Sequence, residues 1–143
     1  VPASRGRFGA GGAYAFEAGS ARRPPRPWSN VLANEGFGTV LTEAGGGCTW
    51  AVNSRMNQLT PWFNDAVADP CGERVWSVTP SAAAEPGIAY RVEHAPGFTR
   101  ISHRRGALEV EARWCVDADA ALRQVQLRLR NTGPRPLALR LVG

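Results

Sequence analysis

Leu108-Glu109-Val110-Glu111-Ala112-Arg113-Trp114-Cys115-Val116 is the stretch that decides the fold. Leu108, Val110, Ala112, Trp114 and Val116 are apolar and share one face of an extended chain. Glu109, Glu111, Arg113 and Cys115 share the other. Downstream, Asp117 to Ala121 reads as a turn with at most one short helical turn. Val125, Leu127 and Leu129 then alternate with Gln124, Gln126, Arg128 and Arg130. Beyond the breakers Asn131-Thr132-Gly133-Pro134-Arg135-Pro136, the alternation of Leu137, Leu139 and Leu141 with Ala138 and Arg140 predicts a further strand. Upstream, Phe98 to His103 reads as a strand between the turns Pro96-Gly97 and Arg104-Arg105-Gly106. Tyr90 to His94 alternates, and Val75 to Val78 is a short apolar run. Strands with one apolar and one charged face predict an antiparallel sheet packed on one side only.

The N-terminal half follows the same pattern. Tyr14 and Phe16 fall on one face of a short strand. Trp28 to Asn34 leads into a strand over Phe37 to Thr42. Gly45-Gly46-Gly47 turns, and Cys48 to Val52 is its return strand. Many short strands with frequent turns make the fold class all-β, an antiparallel β-sandwich. Residues 1–12 read as a flexible lead-in or a sheet edge, and 13–143 as the sandwich domain. With Gly 16 and Pro 11 in 143 residues, long helices are not expected.

Bulk composition excludes several function classes. Hydrophobic residues make up 43% and charged residues 20%, so a core can form. All 17 basic residues are arginine and the net charge is +5, but the arginines are spread along the chain. That reads as solvated strand faces, not a nucleic-acid stripe. Cys48, Cys71 and Cys115 contain no CxxC, and His94 and His103 add no metal spacing, so no metal and no cofactor are expected. The two histidines read as exposed strand residues or as a pair meeting across a hairpin. The triple glycine is followed by neither Lys-Ser/Thr nor a helix, which argues against a nucleotide site. Val1 to Ala13 lacks the apolar core of a signal peptide, and no apolar run is long enough to span a membrane. Starting on Val and ending at Leu141-Val142-Gly143, the sequence is expected to be part of something longer.

Thr49 to Glu73 breaks the strand rhythm and carries the candidate site. Trp50, Trp62, Phe63 and Trp76 bracket Asn53, Arg55, Asn57, Asn64 and Asp65. Aromatic faces beside amides and charges suit a pyranose, which has apolar C–H faces and a rim of hydroxyls. The competing reading is a core of tryptophans with polar residues satisfying a long loop. Asp65 and Asp69 read as turn formers, and no nucleophile elbow is present, so no catalytic residue is assigned. The candidate carbohydrate-binding set is Trp50, Asn53, Arg55, Asn57, Trp62, Asn64 and Asp65.

Several motifs carry a family resemblance. Pro27-Trp28-Ser29-Asn30-Val31-Leu32-Ala33-Asn34, Phe37-Gly38, Glu43 to Trp50, Asn53-Ser54-Arg55-Met56-Asn57-Gln58-Leu59-Thr60-Pro61-Trp62, Asn64-Asp65 and Asp69-Pro70 resemble the glycoside hydrolase family 94 region of cyclic β-1,2-glucan synthases. More distantly they resemble cellobiose and chitobiose phosphorylases. His94-Ala95-Pro96-Gly97-Phe98-Thr99-Arg100 and Leu127-Arg128-Leu129-Arg130-Asn131 are similar to later elements of that family. Four features depart from the pattern. The sequence is expected to stop before any barrel and to end inside a larger sandwich, is shorter between Glu73 and Trp76, and has Ala66 where a proline is usual.

The resemblance implies a mutarotase-like super-sandwich, here incomplete, that precedes a helical linker and a catalytic barrel. It implies a parent glycosyltransferase or glycoside phosphorylase acting on β-glucans, anchored in the bacterial inner membrane, with this part in the cytoplasm. The expected role is structural and carbohydrate-contacting, without catalysis by this part alone. Its expected partners are a β-glucan or oligosaccharide, the barrel domain, and a second copy in a homodimer. No nucleic acid and no membrane contact are expected. The alternatives are a free-standing carbohydrate-binding module and a dimerisation or domain-packing module without ligand.

Overall fold

The structure, a computed structural model, describes residues 5–19, 24–62 and 88–139. Two antiparallel sheets pack face to face. The larger holds six strands: β1 (Arg7–Phe8), β2 (Tyr14–Ala18), β6 (Tyr90–Ala95), β7 (Phe98–Arg105), β8 (Leu108–Val116) and β9 (Arg123–Asn131), in that order. The smaller holds β3 (Ser29–Ala33), β4 (Phe37–Thr42) and β5 (Gly47–Ala51). The all-β antiparallel sandwich expected from alternation is therefore the observed fold. No helix among the described residues is long and apolar enough to cross a membrane.

Strand period places the core. Register aligns Ala18, Tyr90, His103, Val110 and Leu129 in one row across the larger sheet, and Phe16, Val92, Ile101, Ala112 and Leu127 in the next. These rows face Leu32 of β3 and Leu41 of β4, and Trp28 packs edge-on against Phe16. Val92, Ile101 and Ala112 are fully buried; a buried isoleucine contributes roughly 1.5–3 kcal/mol. The opposite face is a ladder of charge. Arg100 forms an ion pair with Glu93, with its Nε 3.1 Å from Glu93 Oε2. That bond raises the guanidinium pKa further. Arg113 and Arg100 both lie over the Phe98 ring.

Two tight turns set the hairpins. Pro96-Gly97 joins β6 to β7 with Gly97 at φ 86, as a type II turn requires at its third residue. Gly106 at φ 58 leads the two-residue link from β7 to β8. Arg104 and Arg105 belong to β7, not to that turn, because both pair with β8.

The sheets are joined by polar staples as well as by the core. Asn30 Nδ2 donates to the carbonyls of Ala95 and Phe98 (2.9 and 3.0 Å) and to Thr99 Oγ1 (3.1 Å). His94 lies beside it, with Nε2 3.0 Å from the Trp28 carbonyl and Nδ1 3.2 Å from Thr99 Oγ1. A carbonyl can only accept, so Nε2 carries the proton and Nδ1 accepts from the Thr99 hydroxyl. Asn34 Nδ2 donates to the carbonyls of Asp117 and Ala120, and its Oδ1 accepts from the N–H groups of Gly36 and Phe37. Asp117 in turn caps its own turn through the N–H groups of Asp119 and Ala120, which lowers its pKa.

Three expectations are corrected. Leu137 and Leu139 do not form a strand; residues 132–139 carry no regular structure and both leucines are exposed. A period-2 pattern needs a neighbouring ladder, and none meets them among the described residues. The return strand β5 ends at Ala51, because Val52 leaves the sheet at φ 61. Neither histidine is exposed and the two do not meet: His94 stands opposite Thr99, and His103 opposite Tyr90 with its ring 4.8 Å away. The expected run Val75 to Val78, and Cys71, Ala66 and Leu141, lie outside the described residues.

Candidate functional site

The candidate loop grows out of β5, at the end where the smaller sheet meets β9. Thr49 is buried there. Its hydroxyl lies 3.3 Å from that of Thr39 and accepts from Arg123 Nη1 at 2.9 Å. Trp50, on the next position, lies across Gly38 of β4. A Cβ on Gly38 would stand 2.4 Å from Trp50 Cζ2, so only glycine admits the ring. One side of the indole is thus committed to packing on backbone.

Val52 makes the exit. Its φ of 61 is in the left-handed region, rare for a β-branched residue. Its N–H donates to the Gly36 carbonyl at 2.7 Å, which ties the exit to the β3–β4 turn. Asn53 Oδ1 then accepts from the N–H groups of Arg55 (2.9 Å) and Met56 (2.8 Å), as a helix N-cap does. The Asn57 N–H reaches the Asn53 carbonyl, closing one helical turn, and the Asn57 carbonyl accepts from Ala51. Gln58 bridges to Trp50, and the N–H groups of Leu59 and Thr60 both donate to the Thr49 carbonyl. The Thr49 N–H completes the set by donating to Thr60 Oγ1 at 2.8 Å. A span that reads as irregular in sequence is therefore one capped turn folded back along β5.

This construction divides the predicted residues. Trp50, Asn53, Arg55 and Asn57 come together at one end of the smaller sheet, and Trp62 follows at the last described position of this segment. Asn64, Asp65, Phe63 and Trp76 lie outside the described residues. Asn53 has spent its carbonyl oxygen on the turn, so only its amide nitrogen is left to offer a ligand. Arg55 and Asn57 are exposed, and Arg55 has no ion-pair partner among the described residues. Trp62 is 39% exposed; Val52 and Met56 are 82% and 81% exposed. Residues 52–62 contain no carboxylate, so this part of the loop supplies neither a general acid nor a base for glycoside chemistry. No group of three metal-ligating side chains occurs among the described residues.

The pattern reading missed Asn30, Asn34, His94, Thr99 and Arg123, the polar groups that hold the sheets and the loop's base. Their signal was present: Asn30, Leu32 and Asn34 share one strand parity, so an apolar inward residue is flanked by two amides. An amide on a core face must find partners.

The model of the glycosyl hydrolase 94 supersandwich domain matches residues 12–143. A cyclic β-(1,2)-glucan synthase, NdvB of Rhizobium meliloti (strain 1021), is 33% identical over 140 residues. The match covers 91% of this chain and 5% of that relative's length.

Proposed function

The chain belongs to the glycosyl hydrolase 94 supersandwich family, and on that premise we propose that it is the β-sandwich of a glucan synthase-like protein whose pinned loop touches β-glucan. Catalysis and any membrane anchor belong to other segments of the parent, and a barrel domain is the expected neighbour. The observation that carries this reading is the loop's division of labour. Its backbone is tied to β5 and to Gly36, while Arg55, Asn57 and Trp62 remain exposed. A fixed backbone with free polar and aromatic heads lowers the ordering cost of binding a flexible sugar chain. Asn53, Trp50, Asn64 and Asp65 complete the proposed set.

Tryptophan fluorescence titration with β-1,2-linked oligoglucoside tests it. A saturable change is expected, with affinity about tenfold weaker in Arg55→Ala, the scale of one charge-assisted hydrogen bond. A flat titration up to millimolar sugar, or binding untouched by both Arg55→Ala and Trp62→Ala, would overturn the assignment. A second reading, domain packing without ligand, is favoured by the exposed aliphatic side chains of Val52, Met56 and Leu59. Such groups suit a protein surface better than a sugar rim. It predicts the flat titration.

A further inference from the structure

Three connections meet at the end of the sandwich that bears the candidate loop: the β3–β4 turn, the β8–β9 turn over residues 117–122, and the loop itself. They brace one another. Asn34 of the β3–β4 turn holds the β8–β9 turn through the Asp117 and Ala120 carbonyls. Gly36 of the same turn accepts from the Val52 N–H and so fixes the loop's exit. The third brace is Arg123. It opens β9 directly after the β8–β9 turn and crosses to the smaller sheet, where its Nη1 donates to Thr49 Oγ1 at 2.9 Å.

That donor sets the direction of the bonds behind it. With its oxygen accepting from a guanidinium, the Thr49 hydroxyl gives its proton to Thr39 Oγ1 at 3.3 Å, and the Thr39 hydroxyl gives its own to the Cys48 carbonyl at 3.0 Å. Thr49 and Thr39 are both buried, so removing the guanidinium strips a charge-assisted bond from a buried hydroxyl. The backbone of the same Thr49 holds the loop's return. Its carbonyl accepts from Leu59 and Thr60, and its N–H donates to Thr60 Oγ1. From Thr60 the chain reaches Trp62 through Pro61, which has a fixed φ and restricts the residue before it. The position of Thr60 is therefore passed to Trp62 through a stiff link. Arg55 stands on the capped turn at the other end, held by Asn53 and not by Thr49. We propose that Arg123 is a positioning residue for Trp62, acting through Thr49 and Thr60, and that it raises the loop's affinity for β-glucan without touching the sugar. This rests on the sugar-binding reading of the loop.

Isothermal titration calorimetry of the 143-residue chain with β-1,2-linked oligoglucoside, set in a double-mutant cycle, tests the assignment. Arg123→Met keeps the aliphatic stem and removes the donors. It should weaken binding roughly 2- to 10-fold, the scale of re-ordering one large side chain. Trp62→Ala should then cost little more in the Arg123→Met background, whereas Arg55→Ala should still cost its full factor of about ten. Arg123→Lys, which keeps a cationic donor, should recover part of the affinity. Hydrogen exchange reads the same link without sugar: the Leu59 and Thr60 amides should speed up in Arg123→Met, and the Arg55 and Met56 amides should not. Thr49→Val removes the hydroxyl, keeps the backbone bonds and should reproduce both effects, which guards against a misfolded Arg123 variant. Additive losses from Arg123→Met and Trp62→Ala, or faster exchange spread evenly over the loop, would mean a merely structural role and overturn the proposal. A saturable wild-type titration that Arg123→Met leaves unchanged overturns it too, with the sugar reading intact. A flat wild-type titration overturns both.

Discussion

Asn30 and Asn53 are the same side chain set to different work. Asn30 lies at the seam between the sheets, and its amide nitrogen serves two carbonyls and a hydroxyl on the opposing hairpin. Asn53 lies on the loop, where its oxygen serves only the two N–H groups that follow it. The seam spends the Asn30 amide nitrogen and both His94 ring nitrogens on the fold. The loop spends its backbone on the fold and leaves Arg55 and Asn57 in solvent. Burial decides which outcome holds, because an amide away from water must be paired within the protein, whereas an exposed one can wait for a ligand.

The largest test of that contrast is Asn30→Ala. It strips a shared donor from the Ala95 and Phe98 carbonyls and should cost about 1–3 kcal/mol in urea unfolding. Asn30→Asp should cost more, because a carboxylate would face the same two carbonyls. A loss smaller than that of any loop substitution would erase the distinction.

The next effect is read by pH. Burial pushes the His94 imidazole below its ordinary value of 6.5, partly offset by the bond to the Trp28 carbonyl. The unfolded chain therefore binds more protons than the native one between the depressed value and 6.5. The seam's contribution is complete above pH 6.5, falls as pH drops through that window, and levels off below the depressed value. His94→Gln should flatten the slope in that window; an unchanged stability–pH curve would show that the histidine is not a load on the seam.

The smallest effects belong to the loop. Asn53→Ala removes a cap and should cost about 1 kcal/mol, seen as faster amide exchange at Arg55 and Met56. Arg55→Ala should change stability by less than about 0.5 kcal/mol in the same unfolding assay. A larger loss at Arg55 would mean that the loop, like the seam, is built for stability.

Much of this architecture was legible in the chain. Leu108 to Val116 announced β8 by alternation, because a half-buried strand carries period 2, and Phe37 to Thr42 announced β4 by composition, being buried on both faces. Leu137 and Leu139 show where that logic stops. They alternate as strand residues do, yet a strand exists only where another strand supplies its hydrogen bonds. The loop failed for the opposite reason: its order comes from Asx capping and from bonds to Thr49 and Gly36, neither of which has a period. Trp50 read as a stacking platform, and only its partner Gly38, twelve residues earlier, revealed that one side of the ring is already occupied.

By itself, the sequence determined that this is an all-β sandwich, which faces of its strands are apolar, and which motifs tie it to the glycosyl hydrolase 94 supersandwich family. Those are local properties, written in alternation and in short residue strings. Only the tertiary structure decided that Asn30, Asn34 and His94 are staples, that Asn53 caps a turn while Arg55 stays free, and that β9 stands at an edge. Each of those depends on which distant carbonyl or strand comes within hydrogen-bonding distance, and pairing across long sequence separations leaves no periodic trace in the chain.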